Sequence, residues 1–152
     1  MSLKDDIQAK GFHSEQEKSF VNLIYTAALF EANFNKFIKP FGVSSQQYNV
    51  LRILRGQFPN SISSGDLHSR MIHKMSNASR LVDKLVEKGY AIRVVNVNDK
   101  RNILVSITDL GFRFVTDLDK EVTDFQKKSF DLPFSKLEDF NLLLDVLRSS
   151  LG

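Results

Sequence analysis

Apolar residues recur at three- and four-residue steps along most of the chain, the spacing of one helical face. Over residues 19–39, Phe20, Leu23, Ile24, Ala27, Ala28, Phe34, Phe37 and Ile38 predict a long first helix, stopped near Pro40 and Gly42. Ser44 or Ser45 can cap a second helix with Tyr48, Val50, Leu51 and Leu54 as its buried face, ending before the breaker at residues 56–59. A polar loop over residues 60–63 then precedes a short helix carrying Leu67 and Met71. Residues 75–88 place Met75, Ala78, Leu81, Val82, Leu85 and Val86 on one face, and Gly89 ends that helix where a left-handed backbone costs glycine little. The opposite face reads Ser76, Asn77, Arg80 and Lys84, a stripe that is small, polar and basic.

The period then switches. Ile92, Val94 and Val95, followed by Ile103, Val105 and Ile107 in alternation with Leu104, Ser106 and Thr108, are β-branched strand signals. Between them Asn98, Asp99, Lys100 and Arg101 form a polar turn, so the pair reads as a hairpin with a charged tip. Thr108 or Asp109 caps a further helix carrying Phe112, Val115, Leu118, Val122 and Phe125. Pro133 opens a last helix with Leu137, Phe140, Leu144, Leu147 and Leu151 on one face.

A short helix, a sharp turn, an amphipathic helix and a β-hairpin make a winged helix-turn-helix. The expected fold class is therefore mainly α with a small β-hairpin wing, flanked by long N- and C-terminal helices. The polar, basic face of the second helix suits insertion into a major groove roughly 12 Å wide, and the hairpin tip can reach the neighbouring backbone or minor groove. Apolar faces as wide as those of the terminal helices exceed what one small winged helix can cover. Dimerisation is the physical expectation, since burial is worth about 25 cal/mol per Å². The implied division is residues 1–42 for dimerisation, 43–108 for DNA and 109–152 for dimerisation again.

Charge and composition sharpen that division. The 152 residues carry a net +3, but residues 1–65 hold seven Lys/Arg against five Asp/Glu, residues 66–101 eight against four, and residues 102–152 six against nine. The local nets are +2, +4 and −3, so the basic charge gathers on the helix-turn-helix and hairpin. None of the 13 Phe lies between Phe58 and Phe112, so the aromatic mass sits in the flanking helices. Phe130, Phe134 and Phe140 are candidates for a dimer core. With no cysteine there is no disulfide, thiolate metal site or thiol switch. No run approaches the roughly 20 apolar residues of a membrane span, and the first residues lack a signal peptide's apolar core, so a cytoplasmic location without membrane partners is expected. His13, His68 and His73 have no partners at ligand spacing and read as structural, with no metal or cofactor expected. No phosphate-binding loop, nucleophile elbow or triad pattern is present, and an enzyme is not expected.

The segment from Asp66 through Ala78, Arg80 and Leu85 resembles the helix-turn-helix of the MarR family of bacterial transcription regulators. Leu81, Val82, Asp83, Lys84 and Leu85, running on to Gly89, Tyr90 and Arg93, resemble the end of that family's recognition helix and its entry into the wing. Asn98, Asp99, Lys100 and Arg101, followed by Leu104, Val105, Ser106, Ile107, Thr108 and Gly111, resemble the wing and the start of the next helix. The resemblance implies a homodimer that binds a pseudo-palindromic operator in double-stranded DNA, represses nearby genes and lets go when a small molecule binds between the dimerisation and DNA-binding parts. Carried over by position, Ser76, Asn77, Ser79 and Arg80 would meet bases and phosphates, with Lys84 and Lys100 as further DNA contacts. Arg101 would sit at the wing tip, held by Asp99 through a charge-assisted hydrogen bond. Phe34, Phe37 and Phe41 are candidates for a pocket taking an aromatic or apolar effector; otherwise they are core.

Two positions depart from the family's pattern. Ile72 stands where glycine is common in the turn, although a β-branched residue is poorly suited to positive φ, and Lys74 replaces the capping Ser or Thr. Either the turn has another geometry, or the recognition helix starts later with Ser76 as its cap. These departures motivate an alternative function, a winged-helix protein-interaction module without DNA binding.

Overall fold

The computed structural model describes residues 2–97, 99 and 103–151. A short helix, α1 (Leu3–Asp6), precedes the long α2 (Glu15–Ile38). Ser14 caps α2 by accepting the Glu17 N–H at 3.1 Å. The helix starts four residues before the apolar pattern does, because its first turn is polar and periodicity carries no signal there. A 3₁₀ turn (Lys39–Phe41) ends at Gly42, whose φ of +77° glycine adopts without strain. Helix α3 (Ser45–Gln57) opens on a reciprocal cap between Ser44 and Gln47 and buries Tyr48, Val50, Leu51 and Leu54, the face expected from the sequence.

The loop expected over residues 60–63 contains a strand, β1 (Ile62–Ser63), followed by α4 (Ser64–Arg70). Two residues are too few to show a period, and the strand exists because its partner is a distant hairpin. It pairs antiparallel with β3 (Ile103–Ile107), Ile62 opposite Val105, while β3 also pairs antiparallel with β2 (Ala91–Val95), giving the sheet order β1-β3-β2. Helix α5 (Ala78–Glu87) lies between α4 and β2, and Gly89 follows it at φ +73°. Thr108 caps α6 (Asp109–Ser129), its hydroxyl accepting the Gly111 N–H and donating to the Gly89 carbonyl. Helix α7 (Phe134–Ser149) follows Pro133.

One core joins these elements: Ile38 from α2, Val50, Leu51 and Leu54 from α3, Leu67 and Met71 at α4, Leu85 from α5, Val105 from β3 and Val115 from α6 are almost fully buried. Gly111 makes the closest packing, since a Cβ there would stand 2.1 Å from the Tyr90 carbonyl oxygen. The long helices contrast with this. Ile38 is the only buried residue of α2, and α7 has none, while Phe20, Leu23, Ile24 and Leu29 on α2 and Leu142, Leu143 and Val146 on α7 lie open. No described helix is long and apolar enough to cross a membrane.

The start of α5 corrects one expectation. Met75, expected on the buried face, is 99% exposed, because residues 71–77 form a turn and the helix begins only at Ala78.

Candidate nucleic-acid interface

The turn between α4 and α5 has neither glycine nor a capping Ser or Thr at the usual places, and other side chains close it. The Ile72 N–H donates to Asn49 Oδ1 on α3 at 3.0 Å. His68 Nε2 stands 2.7 Å from the Lys74 carbonyl; a carbonyl only accepts, so this nitrogen carries the proton. The Lys74 ammonium in turn donates to the Ser69 carbonyl at the end of α4. His68 and Lys74 thus clasp the turn from both sides, and residues 71–77 stay out of the helix.

Helix α5 accordingly starts late, capped by Asn77 and not by Ser76. Asn77 Oδ1 accepts the Arg80 N–H at 3.0 Å, which commits that oxygen to backbone. Half-buried Ser76 precedes the cap and donates its backbone N–H to the His73 carbonyl. Arg80 and Lys84 project from the exposed face four residues apart, on one side of α5, and neither side chain has a protein partner among the described residues. Ser79 is different: its hydroxyl and carbonyl both accept from Arg93 of β2, at 3.0 and 3.1 Å. The expected contact residues of α5 thus split into two available cations, Arg80 and Lys84, and two polar side chains already engaged within the fold, Asn77 and Ser79. Exposed Asp99 is described, whereas Lys100 and Arg101 lie outside the described residues, and with them the bond expected between Asp99 and Arg101.

The expected Phe cluster also divides. Phe34 borders a cavity of about 420 Å³ between α2, α3, α6 and the turn, shared with Phe30, Tyr48, Arg52, Ile72, His73 and Phe125. Phe37 borders a neighbouring cavity with Phe30 and Phe125, and Phe41 is around neither, packing on Phe37 at a ring separation of 5.6 Å. The first cavity touches both the long helix and the helix-turn-helix. In its lining His73 Nε2 stands 3.7 Å from Glu31 Oε1 of α2.

Beside this cavity sits a polar hub that the sequence reading missed. Asp119 of α6 accepts from the Tyr48 hydroxyl and the Arg55 guanidinium of α3, with Arg52 Nε 4.0 Å away. Burial, reinforced by the bond to Asp119, pushes the Tyr48 phenol well above its ordinary range, so it remains a donor. Arg93 is a second engaged side chain to which the sequence pattern assigned no role of its own. Its parity with buried Ala91 was the available signal, because residues two apart in a strand share a face.

Comparison with known proteins agrees with this architecture. The sequence model of the MarR family matches residues 41–102. Over 86 residues the chain is 28% identical to the transcriptional repressor MprA of Escherichia coli, covering 57% of this chain and 49% of that protein. A MarR-like transcription regulator from Bacillus cereus superposes with a TM-score of 0.81 at 22% identity, over 91% of this chain and 99% of the other. A mutant MarR of E. coli in complex with operator DNA superposes with a TM-score of 0.73 at 22% identity, over 97% and 99%. The chain spans about half the length of the relatives it matches in sequence, and the structural likenesses, at these identities, carry the fold alone.

Proposed function

We propose, from the match of residues 41–102 to the sequence model of the MarR family, that the protein is a member of that family and a homodimeric, sequence-specific DNA-binding transcriptional regulator. The observation that carries this reading is the exposed face of α5, where Arg80 and Lys84, in the chain's +4 segment, stand without protein partners among the described residues. In the dimer, two α5 helices enter successive major grooves roughly 34 Å apart, Arg80 reaches base edges, and Lys84 and the wing residues Lys100 and Arg101 meet phosphates. Asn77 and Ser79 orient the helix more than they read bases, since their side chains are engaged within the fold.

Dimerisation rests on the open apolar faces of α2 and α7, which leave large side chains such as Leu143 and Val146 in water. The division into residues 1–42, 43–108 and 109–152 is then one of task, because Ile38, Val115, Leu118 and Val122 root the flanking helices in the same core as the winged helix. Repression is favoured by the role named for MprA. A small aromatic or apolar effector fits the Phe34 cavity, from which it would touch Ile72 and His73 in the turn that sets α5. The Ile72 and Lys74 departures no longer argue for a module without DNA binding, because Asn49, His68 and Lys74 close the turn in another way.

Selection of bound sequences from random duplex DNA tests the proposal. The expected result is a two-fold-related site whose affinity falls steeply with salt, as several phosphate contacts require. Failure to enrich any sequence, with salt-insensitive binding, overturns it.

A further inference from the structure

Arg93 counts toward the basic charge of the winged helix, and by charge alone it would be a phosphate ligand. Its surroundings point elsewhere. A single nitrogen, Nη2, reaches three acceptors on α5: the Ser79 carbonyl at 3.1 Å, the Ser79 hydroxyl at 3.0 Å and Asp83 Oδ1 at 2.6 Å. Ser79 and Asp83 lie four residues apart on one helical face, so the guanidinium spans a full turn of the recognition helix. At its other end Arg93 is fixed in β2 opposite buried Val105, on the same sheet face as buried Ala91. One side chain therefore ties the wing strand to the first two turns of the helix beside it. It also pairs with Asp83, a half-exposed carboxylate of α5.

We propose that Arg93 is a positioning residue for DNA recognition, a clasp that fixes the angle between wing and recognition helix by holding Ser79 and Asp83, and not a phosphate contact. This rests on the DNA-binding reading above. A winged helix meets the duplex at two places at once, and only a fixed angle lets the base-reading face and the wing engage their own parts of one site together. A clasp therefore acts on selectivity. A phosphate ligand acts on affinity for all sequences alike.

The test uses the charge-neutral double variant Arg93→Ala/Asp83→Ala and the charge-conserving Arg93→Lys, each in the full chain and checked for a parental circular dichroism spectrum. Binding is measured over a salt series against the selected site and against a scrambled duplex. The clasp predicts that the double variant loses roughly tenfold for the selected site, keeps the parental salt slope, and binds scrambled DNA as the parent does. It predicts that Arg93→Lys loses most of the same factor, because the lysine ammonium stands one bond nearer the backbone than Nη2, on a flexible stem that does not hold it rigidly against Ser79 and Asp83. A salt slope lower by about 1, equal losses on both duplexes, or a lysine variant as good as the parent overturns the proposal in favour of a phosphate contact. Amide hydrogen exchange on the free protein separates this from failure of the DNA-binding reading. Faster exchange confined to α5 in the double variant supports the clasp, and unchanged exchange overturns it. A parent that selects no site overturns the functional reading itself, and with it any role for Arg93 in recognition.

Discussion

Asp119 holds α3 against α6, and its removal has a cost that follows from what it leaves behind. In Asp119→Ala the buried Tyr48 hydroxyl loses its acceptor, which costs about 1–3 kcal/mol for a buried polar group left unsatisfied. Arg55, with a quarter of its side chain exposed, loses its carboxylate; water recovers part of that, leaving about 1 kcal/mol. Arg52 is half exposed and 4.0 Å away, and contributes no more than about 0.5 kcal/mol. The expected total is about 2–4 kcal/mol, or roughly 5–15 °C in Tm for a chain of this length. Urea denaturation followed by circular dichroism at one fixed protein concentration reads it, since a dimer's stability varies with concentration. Asp119→Asn keeps an acceptor for Tyr48 and should lose about half as much. Adding Tyr48→Phe to Asp119→Ala removes the stranded hydroxyl, so the double variant should be more stable than the sum of single effects predicts, by about 1–2 kcal/mol. An Asp119→Ala protein within about 0.5 kcal/mol of the parent, or strict additivity with Tyr48→Phe, would refute the hub.

Gly111→Ala places a Cβ against the Tyr90 carbonyl, where backbone must move, and should cost about 3 kcal/mol or more in the same assay; a neutral substitution there contradicts the packing at the start of α6. Because the folded state raises the Tyr48 phenol above its unfolded value of about 10, stability from keeping it protonated is full below about pH 10 and falls as pH rises toward the folded value. The stability of Tyr48→Phe should therefore decline less than the parent's in alkaline titration, and parallel curves would count against the burial of that hydroxyl. Leu143→Asp puts a charge on the open face of α7 and should convert the proposed dimer to monomer in sedimentation equilibrium, while a dimer of parental strength would move the interface elsewhere.

Where burial followed a helical period, the sequence was sufficient. Tyr48, Val50, Leu51 and Leu54 lie on the expected face of α3, and Gly89 and Thr108 stop and start helices for the local reasons assigned to them. Where tertiary contacts overrode local pattern, it was not. Met75 is in phase with α5, yet the His68 and Lys74 clasp keeps it out of the helix. Strand β1 has no period of its own, and only Val105 and Leu104 make it a strand. Ser76 was the late helix start that the sequence suggested, and the backbone geometry of the turn places the cap one residue on, at Asn77. Arg80 and Arg93 look alike in a charge count; their partners separate one available cation from one that is engaged. Asp119 was invisible because its partners on α3 lie more than sixty residues away in sequence.

The central claim is that the exposed face of α5 reads DNA. The most direct test is the affinity of Arg80→Ala for the site that the parent selects, measured by fluorescence anisotropy at one stated salt concentration. If Arg80 reads a base, the loss is about 1–3 kcal/mol, roughly 5- to 150-fold, and a selection repeated with the variant shows relaxed preference at one position of each half-site. Binding within about twofold of the parent, with the same selected sequence, would contradict the account.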